Sequence, residues 1–449
     1  MPQPPVARNI GLVGAVFTLV GYVIGASIFI LPGQLAADAG PGAFLAYLIA
    51  GGLAALSCVV GAAIGSAVPV SGAAAVAAAR TVAPVIGFLG VWATLGAVVV
   101  SIALVGFGLA DYVAYFVPGV PKMAVALGSV VVFGLLNLTT VQLAVWVQVV
   151  MTVGFLVIMY GFGVGGALNA DPALLDPMLP KGWGPVATAS VLAFFSYAGV
   201  TVITEIGGEI KNPGRNIPLA LFLGFLVILS AYTLVAFAVP ALIPWQSLAG
   251  LDAPIAKAAE VFLPVWVGGV IAVAALLAAA TSINGMLLIH SRDVLAMARA
   301  EVFHRALAAR HPRTGVPTAA VILVTGLSML AVLAAGTIRQ YAMFAVLAVM
   351  LLQIFQGLTL IRLPGRLPDA WAASGFRLGP ATRWVVACLF IAVSVAFFLL
   401  GVSDSLVITA LFVGFVGVGI GYYYWRRRVL AARGYDLDEV LRTGASAEG

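Results

Sequence analysis

The stretch GYVIGASIFILPG, residues 21–33, lies inside the first apolar run of the chain, where a helix should cross a bilayer without interruption. A spanning helix needs roughly 20 consecutive, mostly apolar residues. These residues instead include three glycines, an alanine, a serine and a proline. In hydrocarbon an unpaired backbone group is costly, so a helix opens only where protein, water or ligand takes up the freed groups. The stretch therefore reads as a broken helix, with its opening at Ile24-Gly25-Ala26-Ser27-Ile28. Gly25 and Ala26 have little or no side chain to hold a ligand away from the backbone. Amides at the start of the half-helix that follows would attract an anion such as a carboxylate. A second reading, in which small residues simply let helices pack closely, also fits this composition.

Working outward, the chain of 449 residues is 63% hydrophobic and 8% charged, with a mean hydropathy of +1.15. Ordinary soluble domains are about 25% charged, which excludes that class. Apolar runs of spanning length recur at about 10–32, 41–67, 85–116, 121–138, 142–166, 186–208, 217–240, 263–290, 316–336, 340–361, 383–402 and 405–425. An even number of spans puts both termini on one side. Of the 22 Lys and Arg residues, only Lys122, Lys181, Lys257 and Arg339 fall in the loops of the other side. By the positive-inside rule this predicts a multi-pass protein of the cell membrane with cytoplasmic N- and C-termini. The net charge of +6 follows from that asymmetry. Nucleic-acid binding would need basic residues clustered on a folded soluble face, and no such domain is present. Cys58 and Cys388 fall in different apolar runs and read as small core residues rather than a disulfide or metal site. The first run is too long for a signal peptide and lacks a convincing cleavage site.

Runs 1 and 6 are the two interrupted by small and polar residues, five spans apart. Broken helices leading two five-helix units point to an inverted repeat with a binding site near the midplane. The expected division is a cytoplasmic N-terminus (1–9), a first repeat (10–166), a second repeat (186–361), two extra helices (383–425) and a cytoplasmic tail (426–449). The tail begins RRRVLAARGYDLDEVLR, a short interfacial helix, and ends in a disordered TGASAEG. In run 6, AFFSYAGVTVITEIGGEIKNP (193–213), Ser196-Tyr197-Ala198-Gly199 is the matching break, whose freed carbonyls suit an ammonium group. Amide donors on one side and carbonyls on the other make a pocket for a zwitterion.

At these residues the sequence resembles the amino acid–polyamine–organocation (APC) superfamily of transporters. GYVIGASIFILPG is similar to the family's G-x-x-I-G-x-G-I-F, with Ser27 in place of the third glycine. VPVSGAAAVAAAR (68–80) resembles its P-x-S/A-G-G stretch. GGEIKNPGRNIPLAL (207–221) resembles E-E-x-K-N-P-x-R-x-I-P, and SINGMLLIHSRDVLAMARAEVFHRALAARHPRTGVP (282–317) resembles helix 8 and its following loop. The resemblance implies an all-α membrane protein of about 12 spans, a five-plus-five inverted repeat with broken helices 1 and 6 and two extra C-terminal helices. It also implies an amino acid permease working by alternating access. The substrate carboxylate would lie against Ile24, Gly25, Ala26, Ser27 and Ile28. The amine would lie near Phe195, Ser196, Tyr197, Ala198 and Gly199.

The departures from the family pattern are specific. Many proton-coupled members carry a helix 5 lysine, where QVVMTVGFLVIM (148–159) has none and Gly154-Phe155 stand near its place. Thr201 replaces the acid found in transporters of cationic amino acids, which favours a neutral α-amino acid; the alternative is an exchanger of polyamines or other organic cations. Ala63 replaces a helix 2 glutamate, and Gly208-Glu209 keeps one of two acids. No cofactor or metal is expected beyond possible proton or sodium coupling. The expected partners are an amino acid or amine substrate and the lipid bilayer, with no nucleic acid; the sequence names no protein partner. No cluster of His, Asp and Glu within the spans suggests an enzyme.

Four residues are candidates for coupling. Glu205 reads as a proton carrier in its neutral form, an intramembrane acid being functional by default, or as an acid that reaches water or pairs with Lys211. His290 titrates near neutral pH, or is an interfacial histidine bonded to a carbonyl. Thr281 and Ser282 offer hydroxyls to an ion, or bond back to their own helix. Glu209, Lys211 and Arg215 read as a cytoplasmic gate with Arg80 or the helix 8–9 loop. Asp111 reads as a solvated boundary residue. Phe195, Tyr197, Trp92 and Phe344 are candidates to line the pocket, where an aromatic face attracts an ammonium group. Tyr422, Tyr423, Tyr424 and Trp425 read as interfacial belt residues.

Overall fold

The computed structural model describes residues 8, 10–25, 27–70, 72–138, 142–249, 251, 253–311 and 314–443, and of residues 142–148 and 151 the backbone alone. Two helices, α1 (Leu12–Ile24) and α2 (Ser27–Ala39), form the first span and are bent by 43°. Then come α3 (Ala43–Ala67), the short α4 (Ala73–Thr81), α5 (Pro84–Phe116), α6 (Lys122–Asn137) and α7 (Gln142–Leu168). The sixth span starts as α8 (Trp183–Phe194), followed by α9 (Pro213–Leu242), the short α10 (Pro254–Ala259) and α11 (Val265–Arg299). The remaining helices are α12 (Thr318–Leu333), α13 (Ile338–Arg366), the short α14 (Pro368–Ala373), α15 (Pro380–Asp404), α16 (Leu406–Ala431) and α17 (Leu437–Thr443). Among the described residues, eight helical stretches are long and apolar enough to span a membrane, and the bent pair makes a ninth. Three shorter apolar helices, Lys122–Leu136, Thr152–Leu168 and Thr318–Leu333, bring the spans to the expected twelve. This is an all-α membrane protein.

Both breaks have local causes. α1 stops at Gly25, whose φ of 24° and ψ of −138° lie outside the helical region and favour glycine. α8 passes into a 3₁₀ turn at Phe195–Tyr197; Ala198 then turns extended (ψ 128°) and Gly199 takes φ +88°. Regular helix does not resume until Pro213, the interval holding 3₁₀ turns at Val202–Thr204 and Gly207–Glu209. Asn212 is left-handed (φ 45°) and Pro213 opens α9, a placement that suits a proline without an amide to donate. Asn216 Nδ2 donates to the Lys211 carbonyl at 2.6 Å, closing the turn. The K-N-P stretch is thus a turn and helix-start signal.

α3 packs along α9, and α5 packs along both α13 and α11, so these five helices surround the interior. α15 and α16 flank them and expose Val385, Leu389, Leu411 and Val418. The expectation of two buried thiols is corrected here: Cys58 is buried, but Cys388 sits exposed on α15. The belt reading of Tyr422 and Tyr423 is also corrected. Tyr422 Oη donates to the Val302 carbonyl (2.8 Å), and Tyr423 is buried with its hydroxyl donating to Asp438. The Tyr423 bond docks the tail helix α17, together with Arg427–Asp438 (3.1 Å) and Arg80 Nη2 donating to the Thr443 carbonyl (2.9 Å). Of the expected disordered stretch 443–449, Thr443 instead ends α17, and 444–449 lie outside the described residues.

The two ends of the bundle differ. At the end rich in Lys and Arg, Ile10 pairs in a single β-bridge with Ile210; its amide donates to the Glu209 carbonyl (3.0 Å) and its carbonyl accepts from Lys211 N (2.9 Å). At the opposite end, Arg339 at the start of α13 reaches Asp38 of α2 and Asp404 of α15 at 2.5 and 2.6 Å. There Lys181 Nζ donates to the Ala37 and Asp38 carbonyls, both at 3.1 Å, capping the end of α2. Asp111, expected to be merely solvated, pairs with Lys122 at 2.7 Å.

Candidate functional site

The carbonyls freed where α1 ends are taken up by the protein itself. Tyr232 Oη, from α9, donates toward Val23 O (3.0 Å) and Ile24 O (3.3 Å) and lies 2.5 Å from Ser27 Oγ. Ser27 Oγ in turn donates to Ile24 O at 3.2 Å. The first amides of α2, like those of any helix, have no partner within it. A Cβ on Gly25 would overlap Ser282 Oγ of α11, which fixes how closely the two helices approach.

The second break lies against the first span. The Tyr22 ring occupies the space that a Cβ on Gly199 would need. Tyr197 Oη donates to the Tyr47 carbonyl at 3.1 Å, and the Tyr47 ring stacks on Tyr232 with centroids 5.3 Å apart. Tyr197 meets Tyr232 edge-on at 5.5 Å, so three buried tyrosines from α3, the break and α9 wedge the two breaks together. Tyr47 Oη and Ser196 Oγ are buried in this region, Ser196 facing the Tyr47 and Tyr232 hydroxyls.

A cavity of about 250 Å³ joins the breaks. Of the residues expected to bind substrate, Ser27, Phe195, Tyr197, Ala198, Gly199 and Thr201 line it. Ile24, Gly25, Ile28 and Ser196 are buried but outside the lining, and Ala26 lies outside the described residues. The deep part carries uncharged polar groups: Ser27, Ser57, Thr201, Ser282, Gln353 and Gln356. Gln353 is held in place, donating to Ser57 Oγ (2.9 Å) and accepting from Ser394 (3.1 Å). From there the cavity runs to Glu209 and Arg292 at the basic end, whose side chains are 37% and 40% exposed. Toward the other end, Arg339 pairs with Asp38 and Asp404, and Tyr112 donates to Phe29 O at 2.8 Å.

Among the pocket aromatics, Trp92 and Phe344 are corrected. Trp92 donates to the Phe415 carbonyl (2.9 Å) and stacks on Phe415 and Tyr422, while Phe344 packs on Phe412 and Phe415. α16 draws both rings away from the cavity.

The coupling candidates separate. Thr281 bonds back to the Ala278 carbonyl at 2.9 Å, whereas Glu205, Ser282 and His290 line the cavity. Glu205 sits beside Gly72, its carboxylate facing the Ala74 amide at the start of α4, and its carbonyl accepts from Gly72 N at 3.1 Å. That is the place a helix N-terminus offers a carboxylate. His290 is buried and bonds no carbonyl: Nε2 lies 2.9 Å from Tyr22 Oη and Nδ1 lies 2.7 Å from Asp293 Oδ2.

The residues expected to form a cytoplasmic gate are only partly together, with Glu209 meeting Arg292 in the connection expected between runs 8 and 9. Glu209 lies 4.0 Å from Arg292, Lys211 and Arg215 are exposed, and Arg80 turns to the tail helix. What joins the broken spans at this end is the backbone bridge at Ile10 and Ile210. Sequence reasoning missed Tyr22, Tyr232, Asp293 and Gln353. Gln353, a polar residue within an apolar run, carried such a signal, whereas Asp293 lies just past the run 263–290, and a lone tyrosine such as Tyr22 or Tyr232 gives no sign of the group it will meet.

A family model described as amino acid permease matches residues 14–428. An uncharacterized transporter of Mycobacterium tuberculosis is 34% identical over 74% of this chain and 75% of its own. A branched-chain amino acid permease of Bacillus subtilis is 26% identical over 69% of this chain and 71% of its own. A vacuolar cationic amino acid transporter of Arabidopsis thaliana is 29% identical, covering 71% of this chain and 57% of that protein.

Proposed function

Because the chain belongs to the amino acid permease family, we propose that it is a secondary transporter of neutral amino acids working by alternating access. The substrate carboxylate sits on the amides at the start of α2, and its ammonium group sits on the carbonyls around Phe195–Gly199. The observation that carries this reading is that both helix breaks open onto one cavity of about 250 Å³. Neutrality rests on the deep lining, where Ser27, Ser57, Thr201, Ser282, Gln353 and Gln356 are polar and uncharged. The acids that line the same cavity are already engaged, Asp293 with His290, Glu209 4.0 Å from Arg292 and Glu205 facing the Ala74 amide, which leaves none dedicated to a cationic side chain. The cavity reaches the basic end while Arg339 closes the other. With basic loops on the cytoplasmic side, the state is inward-facing, in the cell membrane, with both termini cytoplasmic.

The test is counterflow in proteoliposomes loaded with each of the twenty amino acids and offered the same compound labelled. Neutral amino acids should exchange. Gly25→Val should abolish exchange while the protein stays monodisperse, because the new side chain collides with Ser282 and fills the break. Undiminished exchange by that variant would refute the site.

A further inference from the structure

Helix α7 carries no Asp, Glu, Lys, Arg or His, so a charge that could answer a proton must come from elsewhere. We propose that His290, held between Asp293 and the Tyr22 hydroxyl, is the proton-binding site that drives transport. This rests on the transport reading above. His290 is buried in α11 and lines the cavity. Its Nδ1 lies 2.7 Å from Asp293 Oδ2 and its Nε2 lies 2.9 Å from Tyr22 Oη. The ionised carboxylate has no hydrogen, so Nδ1 carries one and donates it. In the neutral ring Nε2 is then the acceptor, and Tyr22 donates.

A proton arriving through the cavity binds Nε2 and makes the imidazolium. The ring now donates at both nitrogens, and the Tyr22 hydroxyl must accept from it and turn its own hydrogen elsewhere. The remaining titratable and charged groups facing this pair are few. Glu205 and Glu209 come from the sixth span and Arg292 from α11 itself; α5 and α13 present only uncharged residues to the cavity. Asp293 bonds the ring directly, so a cation at His290 is paired with it.

Tyr22 supplies the link to substrate. It stands in the last turn of α1, its ring presses on Gly199 of the second break, and its hydroxyl holds His290. A molecule seated at Gly199 and a proton seated on His290 therefore act on one side chain. Moving α1 relative to α11, as a switch to the outward-open state would require, disturbs the Tyr22–His290 bond. The proton thus biases the position of the first half-helix.

The test uses the full chain in proteoliposomes with a labelled mixture of the twenty amino acids. In wild type a pH gradient of one unit should drive accumulation up to about tenfold, the limit for one proton per cycle. His290→Gln should lose that accumulation yet retain counterflow; Tyr22→Phe should shift its pH profile. Wild type that ignores the gradient, or His290→Gln that still accumulates, overturns the proposal. So does loss of the gradient response in Glu205→Gln alone. Absence of counterflow in wild type would instead count against the transport reading.

A second measurement serves if His290→Gln fails to fold. The chain has three histidines, and His304 and His311 are exposed. With ¹³C-labelled histidine, the His290 signal should respond to pH, and Asp293→Asn should alter that response. A His290 signal that never titrates overturns the assignment.

Discussion

Tyr232 takes up the acceptors that the first break would otherwise leave bare in hydrocarbon, reaching Val23 and Ile24 from α9. Removing the hydroxyl leaves two buried carbonyls underserved, and an unsatisfied buried group costs about 1–3 kcal/mol. Tyr232→Phe should therefore lower the melting temperature by several degrees and slow counterflow. A variant as stable and as fast as wild type would show that Ser27 alone suffices. The break itself was legible in the sequence, because glycine, alanine and serine act locally on the helix that contains them. Its cap was not, because Tyr232 meets Ile24 across 208 positions of chain. His290 was visible as titratable, but its partners were only half visible: Asp293 is one turn away, while Tyr22 comes from another span.

Among the elements, the sixth span and the tail helix show how far local chemistry reaches. The segment from Phe195 to Asn212 never regains α-helix, and its end is fixed by left-handed Asn212, by Pro213 and by the bridge to Ile10. The K-N-P signature was readable as a motif, yet its charges suggested a salt-bridge gate where the backbone provides the connection. The tail from Arg426 was read as a short interfacial helix, whereas its first residues continue α16 to Ala431, and Arg80, Tyr423 and Arg427 hold α17 against the bundle. Exposed ion pairs of this kind contribute about 0–1 kcal/mol each, with packing adding to them. Deleting residues 434–449 should lower the melting temperature by a few degrees and leave amino acid counterflow in place. Lost counterflow with unchanged stability would give the tail a part in the cycle.

For the whole molecule, the twelve spans followed from hydropathy alone, since each must satisfy its own backbone in lipid. Which end is shut did not, since that depends on charges from three helices meeting. Arg339 ties Asp38 to Asp404 and so holds α2, α13 and α15 together. The pairs are partly exposed, so the bridge contributes about 1 kcal/mol. Arg339→Gln should raise the outward-open population a few-fold, read as faster labelling of a cysteine introduced at Ser27 from the loop side opposite the termini. Unchanged labelling would mean that Tyr112 and the helix packing close that end. The central claim is a zwitterion site between two broken helices, and ligand-dependent thermal stability of the purified protein tests it most directly. Ligands that bind the folded state raise its melting temperature. The account predicts stabilisation by neutral amino acids and none by the matching amines that lack a carboxylate. Equal stabilisation by those amines would contradict it.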